Sequence, residues 1–264
     1  MSGPSSKPPY RVFSRFYDQI AAPLRAPNLR ARAKIKILSP LLESPTRNSE
    51  PLLICDLCCG TGTSAFEFAR RGMRVYAVDG SRDMLKVARA KFAKARVQVR
   101  TIHADMRKFR LPEPVDLITC EFDAINHLKR KGDLKAVAQS VARALKPGGM
   151  FFFDANTQRA FERLWVANWI QEGDGFFMAA RGGYNRKRNK GWTELNWFLP
   201  QRSGGWRRFI ERYEEVAWTK AETAAALASA GLRVRGRWDL VQFAGRAPWA
   251  MPACRYFWLA EKQK

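Results

Sequence analysis

Residues 54–72, ICDLCCGTGTSAFEFARRG, decide how this chain folds. An apolar, strand-like run leads into a turn with two glycines, Gly60 and Gly62, and an amphipathic helical pattern follows and ends at Gly72. Together with Ala65, the two glycines fit the pattern G-x-G-x-x-G/A, in which the backbone of the turn approaches a bound ligand closely. This pattern alone leaves open whether the ligand carries a pyrophosphate or a positive charge.

Strand-like runs and helical patterns alternate between Leu52 and Asn156. The five runs read LLICDL, MRVYAVD, VQVRTIHAD, VDLITCEF and MFFFDAN. One predicted helix starts at Ser81 as its N-cap, and another is predicted to close at residues 147–149, Pro-Gly-Gly. Nearly continuous apolar strands alternating with helices indicate a parallel sheet that is covered on both faces.

Beyond Asn156 the pattern changes. β-rich runs are separated by Gly-Gly, Asn-Lys-Gly and Ser-Gly-Gly, which is typical of antiparallel hairpins. A helix with Thr219 as N-cap and Gly231 as C-cap is predicted next, followed by two strand-like runs. We therefore expect an N-terminal helical cap at 1–50, a cofactor-binding core at 51–156, an antiparallel β insertion at 157–218 and a closing helix with strands at 219–264.

Length and composition exclude some classes of protein. The 264 residues suffice for one large domain, and no uncharged apolar run approaches the ~18 residues that span a bilayer. The start, MSGPSSKPPYRVF, lacks an apolar secretory segment, so we expect a cytoplasmic protein that does not enter a membrane. The formal net charge is +23, but the basic residues are dispersed. We interpret them as a solvated surface, while nonspecific binding of nucleic acid stays open.

The chain has an odd number of cysteines, and most lie in apolar, strand-like segments. Free cysteine behaves as a small hydrophobic residue, so we interpret these thiols as buried. No second Cys or His cluster stands at ligand spacing, so we predict no metal site. The five are Cys55, Cys58, Cys59, Cys120 and Cys254.

Asp56 favours a positively charged ligand at the glycine turn. It stands at the end of the first strand, four residues before Gly60. A carboxylate there would repel a pyrophosphate at the N-terminus of the next helix, but it would attract an ammonium or a sulfonium. At ~4 Å and an effective dielectric constant of about 20, one such pair is worth up to ~4 kcal/mol before desolvation. Asp79, 17 residues beyond Gly62, suits ribose hydroxyls. These features favour S-adenosylmethionine over NAD or FAD.

At these residues the chain resembles the class I S-adenosylmethionine-dependent methyltransferases. DLCCGTG resembles their glycine motif, VYAVDGS their ribose-binding strand, IHADMRKF their adenine loop, DLITCEFDAINHL their fourth strand and LKPGGMFFFD their fifth. The match is strong over roughly residues 50–156. It implies S-adenosyl-L-methionine as cofactor and an α/β fold: a doubly wound, mostly parallel, seven-stranded Rossmann-like sheet with an antiparallel β insertion before the last helix and strands.

The resemblance also implies roles for individual residues. Asp56 would hold the glycine loop and orient the amino group of the cofactor through water, and Asp79 would bind the ribose. As alternatives, Asp79 could serve only at a helix start and Asp105 only in a turn. The other implied cofactor contacts are Gly60, Thr61 and Gly62 along the turn, Gly80, Ser81 and Met84 beside the adenine, Asp105 and Met106 at the adenine edge, and Glu121 and Phe122 at the methionine moiety.

The stretch VFSRFYDQIA resembles an N-terminal helix that closes over the cofactor in members that methylate small molecules. Tyr17 would then lie near the sulfonium and Arg15 near the carboxylate of the cofactor. A core-packing role for Tyr17 is equally open. Pro23 and Pro27 are predicted to break this helical region into segments.

The methyl acceptor is less well defined. Transfer from a sulfonium depends mainly on positioning, and an acceptor that must lose a proton benefits from a base. We expect His127, Glu121 and Tyr17 as catalytic residues, with Asp123 and Asp154 as further carboxylates near the strand ends. A purely structural role for His127 stays open.

The sequence after the fourth strand indicates the substrate class. Methyltransferases that act on RNA, DNA or protein glutamine often carry Asn/Asp-Pro-Pro-Tyr there, and this chain reads EFDAIN. We therefore expect transfer to N or O of a small molecule by a monomer or homodimer. An RNA or polyanion methyltransferase and a non-catalytic cofactor-binding protein are the alternatives. Aromatic residues of the insertion could wall an acceptor pocket or simply pack the insertion: Tyr184, Trp192, Trp197, Phe198, Trp206, Phe209, Tyr213 and Trp218.

Overall fold

The computed structural model describes residues 10–25, 39, 50–244 and 251–263. Its centre is a seven-stranded sheet in the order β10-β11-β5-β4-β1-β2-β3. Only β11 runs antiparallel to its neighbours, β5 and β10. This confirms the predicted α/β fold with a mostly parallel sheet. The strands are β1 (Leu53–Leu57), β2 (Arg74–Asp79), β3 (Arg100–His103), β4 (Val115–Cys120), β5 (Leu145–Asn156), β10 (Leu232–Asp239) and β11 (Arg255–Lys262).

Helices cover both faces of this sheet, as the apolar strands require. Alternate residues of β5 point to opposite faces: Phe151 and Phe153 belong to one buried cluster, and Phe152 belongs to the other. The helices α4 (Lys131–Ala144) and α6 (Lys220–Ala228) pack on the first face. The second face is covered by α2 (Thr63–Arg70), α3 (Arg82–Lys94) and α7 (Leu240–Ala244).

A separate antiparallel sheet forms within the predicted insertion, in the order β6-β7-β8-β9. It packs against the first helix of the described chain, α1 (Phe13–Arg25), through a buried cluster that includes Phe16, Met178 and Trp197. A short helix, α5 (Gln158–Arg163), precedes the sheet. The strands are β6 (Trp169–Gly173), β7 (Phe176–Asn185), β8 (Lys190–Pro200) and β9 (Trp206–Val216).

One buried side chain joins the two sheets. Asn126 lies in a 3-10 helix, Ala124–His127, that follows β4. Its amide nitrogen donates to the carbonyl oxygens of Asn156 and Val216, at 2.9 and 2.8 Å, and its oxygen accepts from the Asn156 amide at 2.8 Å. Asn126 is fully buried, so the ends of β5 and β9 are fastened to the same residue.

Some predicted helix ends are wrong. The helix α1 continues through Pro23 and ends two residues later, so this proline costs hydrogen bonding only near the end of the helix. Pro27 lies outside the described residues. The helix α4 ends at Ala144, because Leu145 is already extended and pairs with Val115 of β4. Gly231 has the left-handed φ of 72° but lies two residues beyond the C-cap, Ser229.

One predicted turn is also wrong. Gly182 and Gly183 do not join two strands but lie inside β7. A Cβ atom on Gly182 would lie 2.2 Å from the backbone oxygen of Trp165, and one on Gly183 would lie 2.8 Å from the indole nitrogen of Trp192. These glycines therefore permit close packing within a strand.

All five cysteines are free thiols; Cys55, Cys120 and Cys254 are buried, and Cys58 and Cys59 are partly exposed. The described residues contain no group of three or more His, Cys, Asp and Glu side chains arranged to hold a metal ion. In the same part of the chain, every helix is too short or too polar to cross a membrane.

Candidate active site

The glycine turn is held by Asp56. Its Oδ2 accepts from the amide of Ala65 in the first turn of α2, and its Oδ1 accepts from the Thr119 hydroxyl on β4, both at 3.0 Å. The side chain is buried between β1, β4 and the helix start. Such a carboxylate satisfies a free N–H group at the helix N-terminus and interacts favourably with the helix dipole. Asp56 also lines the large cavity described below.

The three residues at the centre of the turn do different things. Gly60 has a φ of 54° and lines the cavity, and a Cβ there would meet only the Met84 sulfur, at 4.0 Å. Gly62 faces away, because a Cβ on it would lie 2.4 Å from the ring of Phe92 on α3. Thr61 is buried and does not line the cavity. Of the three, only Gly60 gives a ligand close access to the backbone.

Asp79 ends β2 beside this turn. Its two carboxylate oxygens accept from the amides of Gly60, at 2.8 Å, and Ser81, at 2.7 Å. Burial raises the pKa of Asp79, and the two amide donors oppose that rise. A carboxylate has about four acceptor positions, so two remain for a ligand's hydroxyls. Gly80, Ser81 and Met84 line the cavity beside it, and Ser81 caps α3 as predicted.

The predicted adenine contacts are only partly brought to the cavity. Met106 lines it, with its sulfur 3.9 Å from the Cys58 sulfur. Asp105 does not line the cavity: Arg107 donates to its carboxylate from the backbone nitrogen, Nε and Nη2, and holds the pKa of Asp105 below its ordinary value. Arg107 itself lines the cavity. The Asp105 carboxylate is therefore bonded to an arginine.

The chain makes a strained turn where β4 ends. Phe122 and Asp123 both have a positive φ, 58° and 54°, which is rare for residues other than glycine. The Asp123 amide donates to the buried Asp154 carboxylate at 3.0 Å, and this bond stabilises the turn. Glu121 and Phe122 line the cavity as expected, and Glu121 accepts from the Ser64 hydroxyl at 3.2 Å.

The helix α1 contacts the glycine turn through Asp18. The hydroxyl of Thr61 donates to Asp18 at 2.7 Å, and Lys91 of α3 forms an ion pair with it at 2.8 Å. Tyr17 lines the cavity on the same helix. Arg15 is exposed, with its guanidinium 5.3 Å from the centre of the Phe16 ring, and does not line the cavity. The structure therefore places Asp18, not Arg15, at the glycine turn.

Two further cavity residues meet at the start of α1. The Tyr10 hydroxyl and the His127 Nε2 atom are 2.9 Å apart. Burial raises the pKa of Tyr10 and lowers the pKa of His127, so both groups are uncharged at neutral pH. The Tyr10 ring also lies 4.9 Å from the Tyr213 ring of β9. Tyr10 thereby connects the N-terminal segment to both sheets.

A buried carboxylate fixes α1 to the antiparallel sheet. Glu211 of β9 accepts from the amides of Val12 and Phe13, at 2.9 and 3.1 Å. It also accepts from the Trp197 indole and the Tyr213 hydroxyl, each at 3.0 Å. Two of its four donors are therefore backbone N–H groups at the start of the helix, which have no partner within the helix.

The glycine turn at Gly60, the ends of β2 and β4, and Tyr10 with Tyr17 border one cavity of about 1560 Å³, which reaches from the strand ends of the main sheet to the antiparallel sheet. This exceeds the roughly 300–1,000 Å³ of an ordinary ligand pocket, so it can hold a cofactor and an acceptor together. Of the insertion aromatics expected to wall a pocket, only Tyr213 lines it, while Trp206 is 57% exposed. The other aromatic residues that line the cavity are Tyr10, Phe13, Tyr17, Phe122, Trp165 and Trp169.

The floor of this cavity carries a charged cluster. Arg255 of β11 donates to Asp154 at 2.6 Å and to Asp123 at 3.1 Å. Asn156 donates to the second oxygen of Asp123 at 2.8 Å. Glu215 of β9 lines the cavity together with Asp123 and Arg255. Burial raises the pKa of Glu215, Asp123 adds to the rise and Arg255 opposes it.

Comparisons with known proteins agree with this architecture. Residues 54–149 match the model of a family described as a methyltransferase domain. A dTDP-3-amino-3,4,6-trideoxy-alpha-D-glucopyranose N,N-dimethyltransferase of Streptomyces venezuelae is 29% identical over 76% of this chain and 83% of its own. The chain is an S-adenosylmethionine-dependent methyltransferase. Its cofactor is S-adenosylmethionine, as the negative charge of Asp56 predicted.

Solved structures support the assignment. The crystal structure of Streptomyces venezuelae DesVI is 25% identical to the methyltransferase, with a TM-score of 0.71 over 94% of this chain and 97% of its own. A S-adenosylmethionine-dependent methyltransferase from Clostridium acetobutylicum has a TM-score of 0.77 at 22% identity, covering 97% and 99% of the two chains. The Clostridium acetobutylicum structure shows that the whole fold, including the antiparallel sheet, occurs in another protein.

The residues of the methyltransferase fit its cofactor. Gly60 leaves open space at the turn, where a side chain would fill it. Asp79 keeps acceptor positions for the ribose hydroxyls, and Asp56 and Glu121 put negative charge where a cationic donor is favoured. These roles of individual residues stay predictions.

Sequence reasoning missed four residues of the methyltransferase site. Asp18 lies in the quoted stretch VFSRFYDQIA but was given no role, and neither was Tyr10. Glu211 and Glu215 could have been found, because each lies two residues from Tyr213 along β9 and therefore shares its face of the strand. No local signal shows which helix that face meets.

Proposed function

We propose that this methyltransferase transfers a methyl group to nitrogen or oxygen of a small-molecule acceptor that binds between the main sheet and the antiparallel sheet. The continuous cavity carries this proposal, because its volume exceeds the need of the cofactor and its second half is lined from β6 to β9. The Streptomyces venezuelae relative, which is named for an amino-sugar substrate, supports a small acceptor and favours nitrogen.

The described residues divide the work of the reaction. When bound, S-adenosylmethionine supplies a methyl group on a sulfonium, which needs positioning more than further activation. The cofactor end is held by Asp79 and the turn at Gly60, and α1 covers it through Asp18. Tyr17, Glu121 and His127 line the path to the acceptor and are proposed as the residues that contact the reacting groups.

His127 contributes as a neutral hydrogen-bonding group. Its Nε2 atom is engaged by Tyr10, and burial lowers its pKa, so it is a weak base at neutral pH. We expect His127→Ala to keep a substantial part of the rate. Complete loss of turnover with cofactor binding intact would make His127 the essential base.

A screen with tritiated methyl tests the proposal. The protein is incubated with labelled S-adenosylmethionine and either a small-molecule extract or RNA from the source cells. Label in the small-molecule fraction supports the proposal. Label only in RNA, with a steep loss of binding as salt rises, would instead favour the polyanion alternative that the net charge of +23 raised. Cofactor binding without transfer to either fraction would instead favour the non-catalytic cofactor-binding protein.

The assembly and location of the protein belong to the same proposal. We infer a cytoplasmic enzyme that acts as a monomer or homodimer. Sedimentation velocity at two protein concentrations checks the oligomeric state, and a larger, stable assembly would contradict it.

A further inference from the structure

One carboxyl group on the cavity wall lacks a complete set of partners. Glu215 of β9 lines the cavity and is 7% exposed. Its Oε2 atom is buried and is the only such side-chain oxygen or nitrogen without a hydrogen-bond partner in the described part of the chain. A buried carboxyl oxygen without a partner costs free energy, so its presence on a ligand cavity points to a ligand that completes it.

The charge around Glu215 specifies the ligand. Asp123 and Asp154 lie in the same cluster, and Arg255 is the cation that bonds both of them. Glu215 thus adds a third carboxyl group beside a buried guanidinium that already bonds to two. A positive charge on the cavity side would relieve the repulsion between Glu215 and Asp123, whereas a hydroxyl would not.

Glu215 also stands close to the groups that define the reacting end. It lies two residues after Tyr213 on β9, so the two side chains share one face of the strand, and the Tyr213 ring lies 4.9 Å from the Tyr10 ring. Tyr10 contacts His127, and Asp123 directly follows the cavity residues at the end of β4. Glu215 is therefore near the junction between the cofactor end and the acceptor end of the cavity.

We propose that Glu215, assisted by Asp123, binds the protonated amino group of the methyl acceptor, so that the acceptor is an amine. This rests on the proposed function and narrows its acceptor from nitrogen or oxygen to an amine nitrogen. The ammonium passes one proton to the Glu215 carboxylate. The freed electron pair of nitrogen then forms the new N–C bond while the S–C bond breaks and its electron pair goes to sulfur.

The neighbouring groups suit this proton transfer. Burial raises the pKa of Glu215, and Asp123 adds to the rise, so the neutral carboxylic acid is favoured once the ammonium charge is gone. Arg255 stays charged between Asp123 and Asp154, and it is not available as a proton acceptor. Of the cluster, Glu215 has the free oxygen, which makes it the acceptor of the proton.

The test combines a chemical block with a matched pair of variants. The small-molecule extract is treated with aqueous acetic anhydride, which acetylates amines in preference to hydroxyls. We expect this treatment to abolish tritium incorporation by the wild-type protein. Glu215→Gln should lower kcat/KM for the extract fraction that the wild type labels by about 10- to 150-fold, which is the effect of losing one charged hydrogen-bond partner. Its dissociation constant for S-adenosylhomocysteine should stay within about twofold.

Glu172→Gln is the control. It removes the same charge from an exposed position of β6 that does not line the cavity, and it should act like the wild type. Label that survives acetylation, or a Glu215→Gln protein as active as the control, would overturn the amine assignment while leaving the proposed function intact. Absence of label from every small-molecule fraction would overturn both. If Glu215→Gln does not fold, the acetylation result on the wild type still decides.

Discussion

Replacing Glu211 should release α1 from the antiparallel sheet without unfolding the main sheet. In Glu211→Gln, the amide oxygen can replace one carboxylate oxygen, but the NH₂ group then faces a donor. The Oε2 position has three donors and the Oε1 position has one, the Val12 amide. The favoured orientation therefore loses the Val12 bond and weakens the other three, because they are no longer charge-assisted. We expect a local cost of about 2–4 kcal/mol.

Hydrogen exchange followed by mass spectrometry measures this cost. Amides of α1 should exchange about 30- to 1,000-fold faster in Glu211→Gln, while amides of α3 keep their wild-type rates. Tyr213→Phe, which removes one of the four donors, should accelerate α1 by less than about 10-fold. An α1 that exchanges at the wild-type rate would refute the reasoning. So would equal acceleration of α1 and α3, because the loss would then be global.

Three further outcomes are expected. Asp79→Ala should weaken S-adenosylhomocysteine binding by about 100-fold or more in titration calorimetry, since charged hydrogen bonds to the ribose are lost. It should lower Tm through the loss of the bonds to the Gly60 and Ser81 amides while keeping a cooperative unfolding transition; a normal dissociation constant would place the ribose elsewhere. Burial lowers the pKa of His127, so its contribution to stability is full above about pH 6.5 and is lost as pH falls through the folded-state pKa. In urea unfolding, the stability of the wild type relative to His127→Gln should therefore fall on acidification, and a constant difference would contradict this. Burial raises the pKa of Cys59, and a hydrogen bond with Cys120 together with burial raises that of Cys58, so both thiols should react with iodoacetamide at pH 8 at least about 10-fold more slowly than free cysteine; reaction at the free rate would show them exposed as thiolates.

Local patterns were sufficient to predict the main sheet. Strands such as β5 are apolar on both faces because both faces are covered, and this leaves a mark within a few residues of sequence. Ser81 and Thr219 were recognised as caps because a cap bonds to an amide only three residues away. Helix ends that depend on partners were missed: Leu145 leaves α4 to pair with β4, 30 residues earlier.

The site was predictable where a residue acts on its own loop. Asp56 and Asp79 fall in this group, since their partners lie in the adjoining turn. Asp105 could not be assigned in the same way, because its bond with Arg107 competes with any ligand. The acceptor end was least accessible to sequence reasoning, since Glu211 meets residues almost 200 positions away.

The Asn126 bridge has a consequence for changing which acceptors fit. All its bonds run to backbone atoms at the ends of β5 and β9, so this corner cannot widen without breaking several buried hydrogen bonds. Selection for bulkier acceptors should therefore leave this seam untouched and act on the rim formed by residues 164–171, where Trp169 is 40% exposed and fewer bonds resist adjustment.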